Sequence, residues 1–383
     1  MFICPIFCCV LHPPNPVALL KGENQRAEVL VATTWKCNLR CSYCFVRECG
    51  LSRNEENLSS GAAARLIDSL DEGLPEVESI CLHLYGGEPL LNLSAMEAMV
   101  NRALQKATGR FAFAITTNGT VISPVALELL GAGSFEVILS IDGPASIHDQ
   151  CRRTVDGGPT HARVLEFLAA MRSETDCRIR SSAVVRSGWG LAQAVDYLLT
   201  LPVDVIKAQA IRSMPGFPYA LSEFEHNAYL NDLELIGHYV IGELEQGRRP
   251  RDDRFSSRVL QLLAGMERNS FCAAGDTSFG ITPTGEVLPC VLMEPGANKL
   301  GHIYDDPQVW RQAGRVWLRL HPPKDECSSC AAQPLCGGGC PALMPICGPN
   351  ECVFVRKNCE VASAIHDHFR ASPEALLALV GIS

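Results

Sequence analysis

"EVLVATTWKCNLRCSYC", residues 28–44, joins a run of β-branched and small apolar residues to a loop with three cysteines. The run at 28–35 reads as a strand, because β-branched side chains suit a pleated, buried surface. Cys37, Cys41 and Cys44 follow it directly, so they belong to the loop at its C-terminal end. In barrel-like α/β folds that rim carries the chemistry. Three thiolates can hold three irons of a four-iron cluster and leave the fourth iron open to a ligand. A structural zinc would want a fourth Cys or His nearby. Cys49 is available for that, although a closed zinc site in a catalytic loop would serve little purpose.

Outward from this stretch, strands alternate with helical patterns. Helix 58–71, with Asn57 or Ser59 as its cap, leads to strand 79–86 and helix 93–105. Strand 111–119, helix 123–131, strand 135–143 and helix 160–172 come next. Strand 177–185, helix 190–200 and strand 203–211 continue the rhythm. Such alternation predicts a parallel sheet with helical crossovers. Six units fit a partial (β/α)6 TIM-like barrel better than a complete eightfold one. The pattern changes after 215, where helices 222–247 and 255–267 precede a Gly-, Pro- and Cys-rich region of sparse periodicity. That region needs something besides an apolar core to hold it, and bound metal is the economical answer. The expected organisation is an N-terminal extension (1–27), the barrel (28–215), a helical bridge (216–268), a Cys-rich domain (269–365) and a C-terminal helix or tail (366–383).

The bulk numbers narrow the class. With 383 residues, 47% of them hydrophobic, the chain can bury a core without disulfides. A net charge of −9 and no basic stripe argue against nucleic acid. The opening "MFICPIFCCVLHPPNP" lacks the basic start and cleavage site of a signal peptide, and no apolar run is long enough to span a bilayer. Nineteen cysteines in a chain of this kind predict a reducing cytoplasm and metal or redox chemistry. A lipidated or surface role for Cys8 and Cys9 is the alternative for that pair.

C-x3-C-x-aromatic-C, with Tyr43 as the aromatic, resembles the signature of the radical S-adenosylmethionine (SAM) enzymes. In that family the open iron of a [4Fe-4S] cluster chelates the methionine moiety of SAM. An electron from the cluster then yields a 5′-deoxyadenosyl radical, which abstracts hydrogen from substrate. "GGEP" (86–89), "TTNGT" (116–120) and "LSIDGPASIHDQCR" (139–152) resemble the next strand ends of the same family. The resemblance implies that Gly86, Gly87 and Glu88 bind the methionine amino group and that Asn118 and Ser140 lie beside the cofactor. It pairs Arg152 with the cofactor carboxylate, with Arg153 as a substitute, and makes Ser181 and Ser182 weaker candidates for the ribose. His83 faces opposite to Leu82 and Leu84, which suits either a substrate contact or a satisfied core histidine. Cys81, Cys151 and Cys177 read as ordinary buried thiols.

Cys272, Gly285 and Cys290, then C-x2-C-x5-C-x3-C at Cys327, Cys330, Cys336 and Cys340, then Cys359, resemble the seven-cysteine SPASM extension of these enzymes. That likeness implies two auxiliary [4Fe-4S] clusters. Cys327, Cys330, Cys336 and Cys359 would hold the outer one, and Cys272, Cys290 and Cys340 the inner one. Cys347 or Cys352 would supply the fourth inner ligand, or that iron is open to substrate. Paired C-x2-C units also bind zinc, which stands as the other reading.

The resemblance implies a maturase that modifies a ribosomally made peptide or protein by a thioether or C–C crosslink, or by oxidation or epimerisation. The runner-up is a formylglycine-generating enzyme like the anaerobic sulfatase maturases. Those carry an acidic residue after the cysteine matching Cys290, where this chain has Val291. A reading of another class is a non-catalytic iron–sulfur or zinc scaffold. Expected partners are the peptide or protein substrate and an electron donor such as flavodoxin or ferredoxin. Only about 27 residues precede the first strand, too few for an N-terminal precursor-recognition domain of about 80 residues. Recognition then falls to a separate protein or to the barrel itself.

Overall fold

The computed structural model describes residues 26–48, 56–106, 108–213, 216–268, 270–347 and 349–380. Among the described residues nine strands form in chain order: β1 (Arg26–Thr34), β2 (Ser79–Gly86), β3 (Phe111–Thr117), β4 (Glu136–Ser140), β5 (Ile179–Val185), β6 (Val205–Ala210), β7 (Ser278–Ile281), β8 (Glu286–Leu288) and β9 (Gly301–His302). Between the first six run α1 (Ser60–Gly73), α2 (Leu93–Leu104), α3 (Pro124–Ala132), α4 (Ala145–Cys151), α5 (His161–Glu174) and α6 (Leu191–Leu199). The strands β1–β6 and their helices make the partial (β/α)6 barrel that the alternation predicts, with the Cys-rich region C-terminal to it.

The chain divides into two compact units, Gln25–Arg180 with Ala273–His321, and Ser181–Cys272 with Pro322–Ser383. In the first, the strand order is β4-β3-β2-β1-β7-β8-β9. The pairs from β4 to β7 are parallel and the last two antiparallel. Val29 and Val31 of β1, Leu82 and Leu84 of β2, Ile115 of β3 and Val137 of β4 are all buried. Strands that read as near-continuous apolar runs are covered on both faces, as parallel sheets are. α1 starts at Ser59, which caps it by accepting from the Ala62 N–H at 3.2 Å. Asn57 instead accepts from Thr34 Oγ1 at 2.5 Å, which ties the loop back to β1.

Several of the charged and polar groups inside this unit are paired, although the hydroxyls of Thr33 and Ser69 are buried without a hydrogen-bond partner among the described residues. His83 is buried and its Nε2 lies 2.7 Å from Thr116 Oγ1. It is a satisfied core histidine, and burial, aided by the charge of Arg180, pushes its pKa down to about 4. Arg180 and Glu136, both buried, form an ion pair at 3.2 Å. Cys81, Cys151 and Cys177 are buried, as expected of packing thiols.

The segment 273–321 is more regular than its glycines and prolines suggest. Besides β7–β9 it forms α9 (Pro307–Leu320), started by Asp306, which accepts from the Gln308 N–H at 2.9 Å. Trp310, Gly314 and Trp317 recur at helical spacing and are buried. Trp310 meets Phe279 of β7 edge-on at 5.0 Å. It also lies so close to Gly73 at the end of α1 that a Cβ there would come within 2.8 Å of the indole.

In the second unit β6 packs against α6. α7 (Glu223–Glu245) and α8 (Ser256–Leu263) pack on α10 (Pro349–His368). α7 opens with a capping box in which Ser222 and Glu225 satisfy each other's backbone N–H groups. Among the described residues no helix is long and apolar enough to cross a membrane.

Candidate active site at the strand ends

The cysteine loop leaves β1 and is pinned by backbone bonds to the segment after α4. Arg40 N–H donates to the Arg153 carbonyl at 2.8 Å, and Ser42 N–H to that of Cys151 at 3.0 Å. Burial raises the pKa of all three thiols; for Cys41 it reaches about 12 even though Arg152 pulls it down. Each of Cys41 and Cys44 also raises Cys37. Among the described residues no three or more His, Cys, Asp or Glu side chains converge as they would around one ion. The donor chemistry nevertheless fits a cationic cluster: three soft thiols on one loop, protonated in isolation by burial, become thiolates when a metal displaces the protons.

β2 meets this loop through its glycines. Gly86 has φ +130, and a Cβ there would lie 2.2 Å from the Thr34 carbonyl oxygen; one on Gly87 would lie 2.1 Å from that of Lys36. Only glycine allows the two backbones so near. The gain is two cross-strand bonds, Gly87 N–H to Thr34 O and Glu88 N–H to Lys36 O, both 2.8 Å.

Glu88 is fully buried and clasps the ends of β2 and β3. Oε1 accepts from Leu90 N–H at 3.1 Å and Thr117 Oγ1 at 2.8 Å, while Oε2 accepts from Asn118 N–H at 2.7 Å. Burial outweighs these bonds and lifts its pKa to about 7. A carboxylate has about four acceptor sites, so one on Oε2 remains for a cationic ligand. Asn118 turns toward the cysteine loop: its Nδ2 donates to Asn38 Oδ1 at 2.9 Å and lies 3.8 Å from Cys37 Sγ. Its Oδ1 accepts from Thr120 N–H at 2.9 Å, and Thr120 Oγ1 accepts from Asn38 Nδ2 at 2.8 Å.

β4 delivers Ser140 and, two residues on, Asp142, both buried. Tyr43 donates its phenol to Asp142 Oδ2, and Arg152 reaches the same oxygen through Nε at 3.2 Å. The Arg152 guanidinium lies over the Tyr43 ring, 5.4 Å from its centroid. Arg153 is exposed and caps the carbonyl of Gly157 instead. Tyr43, Gly86, Gly87, Glu88, Asn118 and Ser140 thus lie at the ends of β1–β4 or on the loops that follow, and Arg152 caps the end of α4. Sequence reasoning missed Asp142, Thr117 and Asn38. Asp142 had one available signal, its place two residues past Ser140 within the expected strand 135–143, which would put both on one face.

The tail thiols form a second gathering, in the other unit. Cys327 and Cys330 sit on a tight turn, Cys336 ends the short helix Gln333–Cys336, and Cys359 lies on α10. Ala332, Leu335, Val355 and Cys359 make a small buried cluster, with Cys330 and Cys336 packed against it. Burial raises Cys336, and the neighbouring Cys359 adds to the effect. Burial likewise raises Cys352, to which Cys327 and Cys330 add. Cys352 and Cys359 are seven residues apart on α10 and share its face. Cys340 is buried and Cys272 half-buried in the same unit, whereas Cys290 follows β8 in the first. The side chain of Cys347 and all of Cys8, Cys9 and Cys49 lie outside the described residues. Ser181 is fully buried and its hydroxyl has no hydrogen-bond partner among the described residues; Ser182 is also buried.

The model of the radical SAM superfamily matches residues 31–180, and that of an iron–sulfur cluster-binding domain, SPASM, matches residues 272–331. The chain is a radical SAM enzyme with a C-terminal SPASM domain. This radical SAM enzyme is 24% identical over 325 residues to the cysteine-type anaerobic sulfatase-maturating enzyme of Clostridium perfringens, covering 79% of this chain and 85% of that one. Its fold matches the solved structure of native anSMEcpe with bound AdoMet and Cp18Cys peptide at a TM-score of 0.75 and 19% identity, over 90% of this chain and 99% of that one. SuiB of Streptococcus suis bound to precursor peptide SuiA follows at 0.55 and 18%, over 85% and 75%. Its catalytic cofactors are a [4Fe-4S] cluster and SAM, and the SPASM domain is an auxiliary iron–sulfur module.

Proposed function

We propose that this enzyme modifies a ribosomally made peptide or protein, with Cys37, Cys41 and Cys44 as ligands of the catalytic cluster. The supporting observation is the two sets of hydrogen bonds that tie the cysteine loop to the strand ends, one through Glu88 and Asn118 at β2 and β3, the other through Asp142 after β4. A scaffold protein has no need of so elaborate a rim. When bound, cluster and SAM supply a 5′-deoxyadenosyl radical that takes hydrogen from the substrate. The chain's own part is to bind and orient. Glu88 offers its remaining acceptor site to the methionine ammonium, Gly86 and Gly87 allow the backbone close approach, and Arg152 meets the carboxylate. Relatives that bind peptides support the substrate class.

In the tail, Cys327, Cys330, Cys336 and Cys359 hold an outer auxiliary cluster, and Cys272, Cys290 and Cys340 an inner one. Cys352 goes with the outer thiols, its electrostatic neighbours. Cys347 or an open iron then completes the inner set. Three clusters correspond to about 12 irons per chain.

Among peptide reactions, a crosslink or epimerisation is favoured over formylglycine formation. Val291 is fully buried and its backbone lies against Gly280, where a Cβ would come within 2.0 Å of the Val291 nitrogen. A buried valine cannot act as a base. The test is to reduce the anaerobic, reconstituted protein with SAM and a short peptide encoded beside it. Expected are 5′-deoxyadenosine and a peptide lighter by two hydrogens for a crosslink, or of unchanged mass but altered chirality for an epimer. Cys41→Ala should bring 5′-deoxyadenosine to background. A hydrazine-trappable aldehyde on a substrate Cys or Ser would establish the formylglycine reading instead.

A further inference from the structure

Asp142 is fully buried. A carboxylate taken out of water must be held by donors or counter-ions. Two of its side-chain partners, Tyr43 and Arg152, belong to the candidate active site. The backbone completes a closed circuit around the pair. Asp142 N–H donates to His148 Nδ1 at 3.4 Å, which leaves the proton of a neutral imidazole on Nε2, 3.1 Å from Thr160 Oγ1. Thr160 Oγ1 donates in turn to the Arg152 carbonyl at 2.6 Å. The circuit from Asp142 through His148, Thr160 and Arg152 returns to its origin through the ion pair. Asp142, His148, Arg152 and Thr160 are all buried, so water does not compete for these bonds.

The geometry also says which edge of the arginine is committed. Asp142 Oδ2 lies 3.2 Å from Nε as an ion-pair contact without hydrogen-bond geometry, and the Tyr43 ring covers one face of the guanidinium. Nη1 and Nη2 remain, a two-pronged donor matched to a carboxylate. Unrestrained, an arginine side chain samples many rotamers, and fixing it on ligand binding costs affinity.

We propose that Asp142 is a positioning residue for SAM: by holding Arg152 through Nε, with Tyr43 as a second strut, it presents the outer edge of the guanidinium to the cofactor carboxylate. This rests on the assignment of Arg152 to that carboxylate. The test titrates SAM into the reduced, reconstituted full chain without peptide and follows the SAM-dependent change in the catalytic cluster's EPR spectrum. Asp142→Asn should keep its iron content and its SAM-free spectrum, while half-saturation moves up at least tenfold. Arg152→Lys should move it at least as far. Tyr43→Phe, which keeps the ring under Arg152 but loses the phenol, should move it about two- to threefold.

Unchanged half-saturation in Asp142→Asn with a raised value in Arg152→Lys overturns the role of Asp142 and leaves Arg152 standing. No change in either variant overturns both. Loss of catalytic-cluster iron from Asp142→Asn also overturns the proposal, since Asp142 would then serve the cysteine loop itself. Should Asp142→Asn be insoluble, Tyr43→Phe decides, and no shift there overturns the proposal. Because peptide is absent, none of these outcomes depends on which substrate is modified.

Discussion

At residues 37–44 three thiols hang on a loop stitched by hydrogen bonds to three neighbouring strand ends. At 327–359 the thiols are strung along short turns and one helix, around a patch of four small or medium side chains. The first arrangement is complete as a protein structure: Glu88, Asn118 and Asp142 have their partners without any metal. The second rests on a small apolar cluster, with Leu262 and Phe271 packed against it, and its thiols raise one another's proton affinity. On the proposed ligand sets, the catalytic loop is built by the barrel, which then receives a cluster, whereas the tail would depend largely on bound iron–sulfur.

The largest expected effect falls on turnover. Cys336→Ser should stop product formation while SAM cleavage to 5′-deoxyadenosine stays within about tenfold of the parent. Product forming normally would break the contrast by making the tail thiols dispensable. Next comes iron removal. Chelation should abolish amide-exchange protection across 327–359 and leave that of β1–β4 largely in place. Equal loss in both regions would show that the barrel depends on metal as well. Leu335→Ala, which empties part of the small tail cluster, should cost about 2–4 kcal/mol in the iron-bound protein. Little would be lost in the chelated protein, whose tail is already unprotected, as compared by denaturant midpoints with and without iron.

The smallest effect sharpens the barrel side. His83 is held neutral with its pKa near 4, below the usual 6.5. A depressed histidine contributes stability that is complete above pH 6.5 and is lost as pH falls toward 4, because only the unfolded chain takes up the proton there. His83→Gln should therefore flatten the loss of stability over that window by up to about 1.4 kcal/mol per pH unit. Parallel pH profiles for parent and variant would show that His83 titrates normally.

Much of this was legible from residues alone, for definable reasons. Strands of Val, Ile and Ala alternating with capped helices can bury both faces only as a parallel sheet with crossovers, and the observed elements fall close to the expected ones. The cysteine loop was placed by its position directly after β1. What escaped depends on contacts distant in sequence. Asp142 matters because Tyr43, 99 residues away, donates to it. The electrostatic link of Cys352 to Cys327 and Cys330 becomes visible only once α10 is formed. α9 was hidden by composition: the eye follows glycine and proline, while Trp310, Gly314 and Trp317 keep a helical period beneath them. His83 could have been either of two things until Thr116 supplied its partner.

The pairing of β1 with β7 has a consequence for biosynthesis. Glu28–Val31 bonds on one side to β2, made soon afterwards, and on the other to Ser278–Ile281. The ribosome reaches that partner about 250 residues later, which at about 5–20 residues per second is a delay on the order of 10–50 s. Throughout that interval the nascent chain shows a bare, apolar strand edge, the kind of surface that recruits wrong partners or a chaperone. Translation speed and chaperone supply, as much as iron, should then govern how much soluble protein a cell recovers.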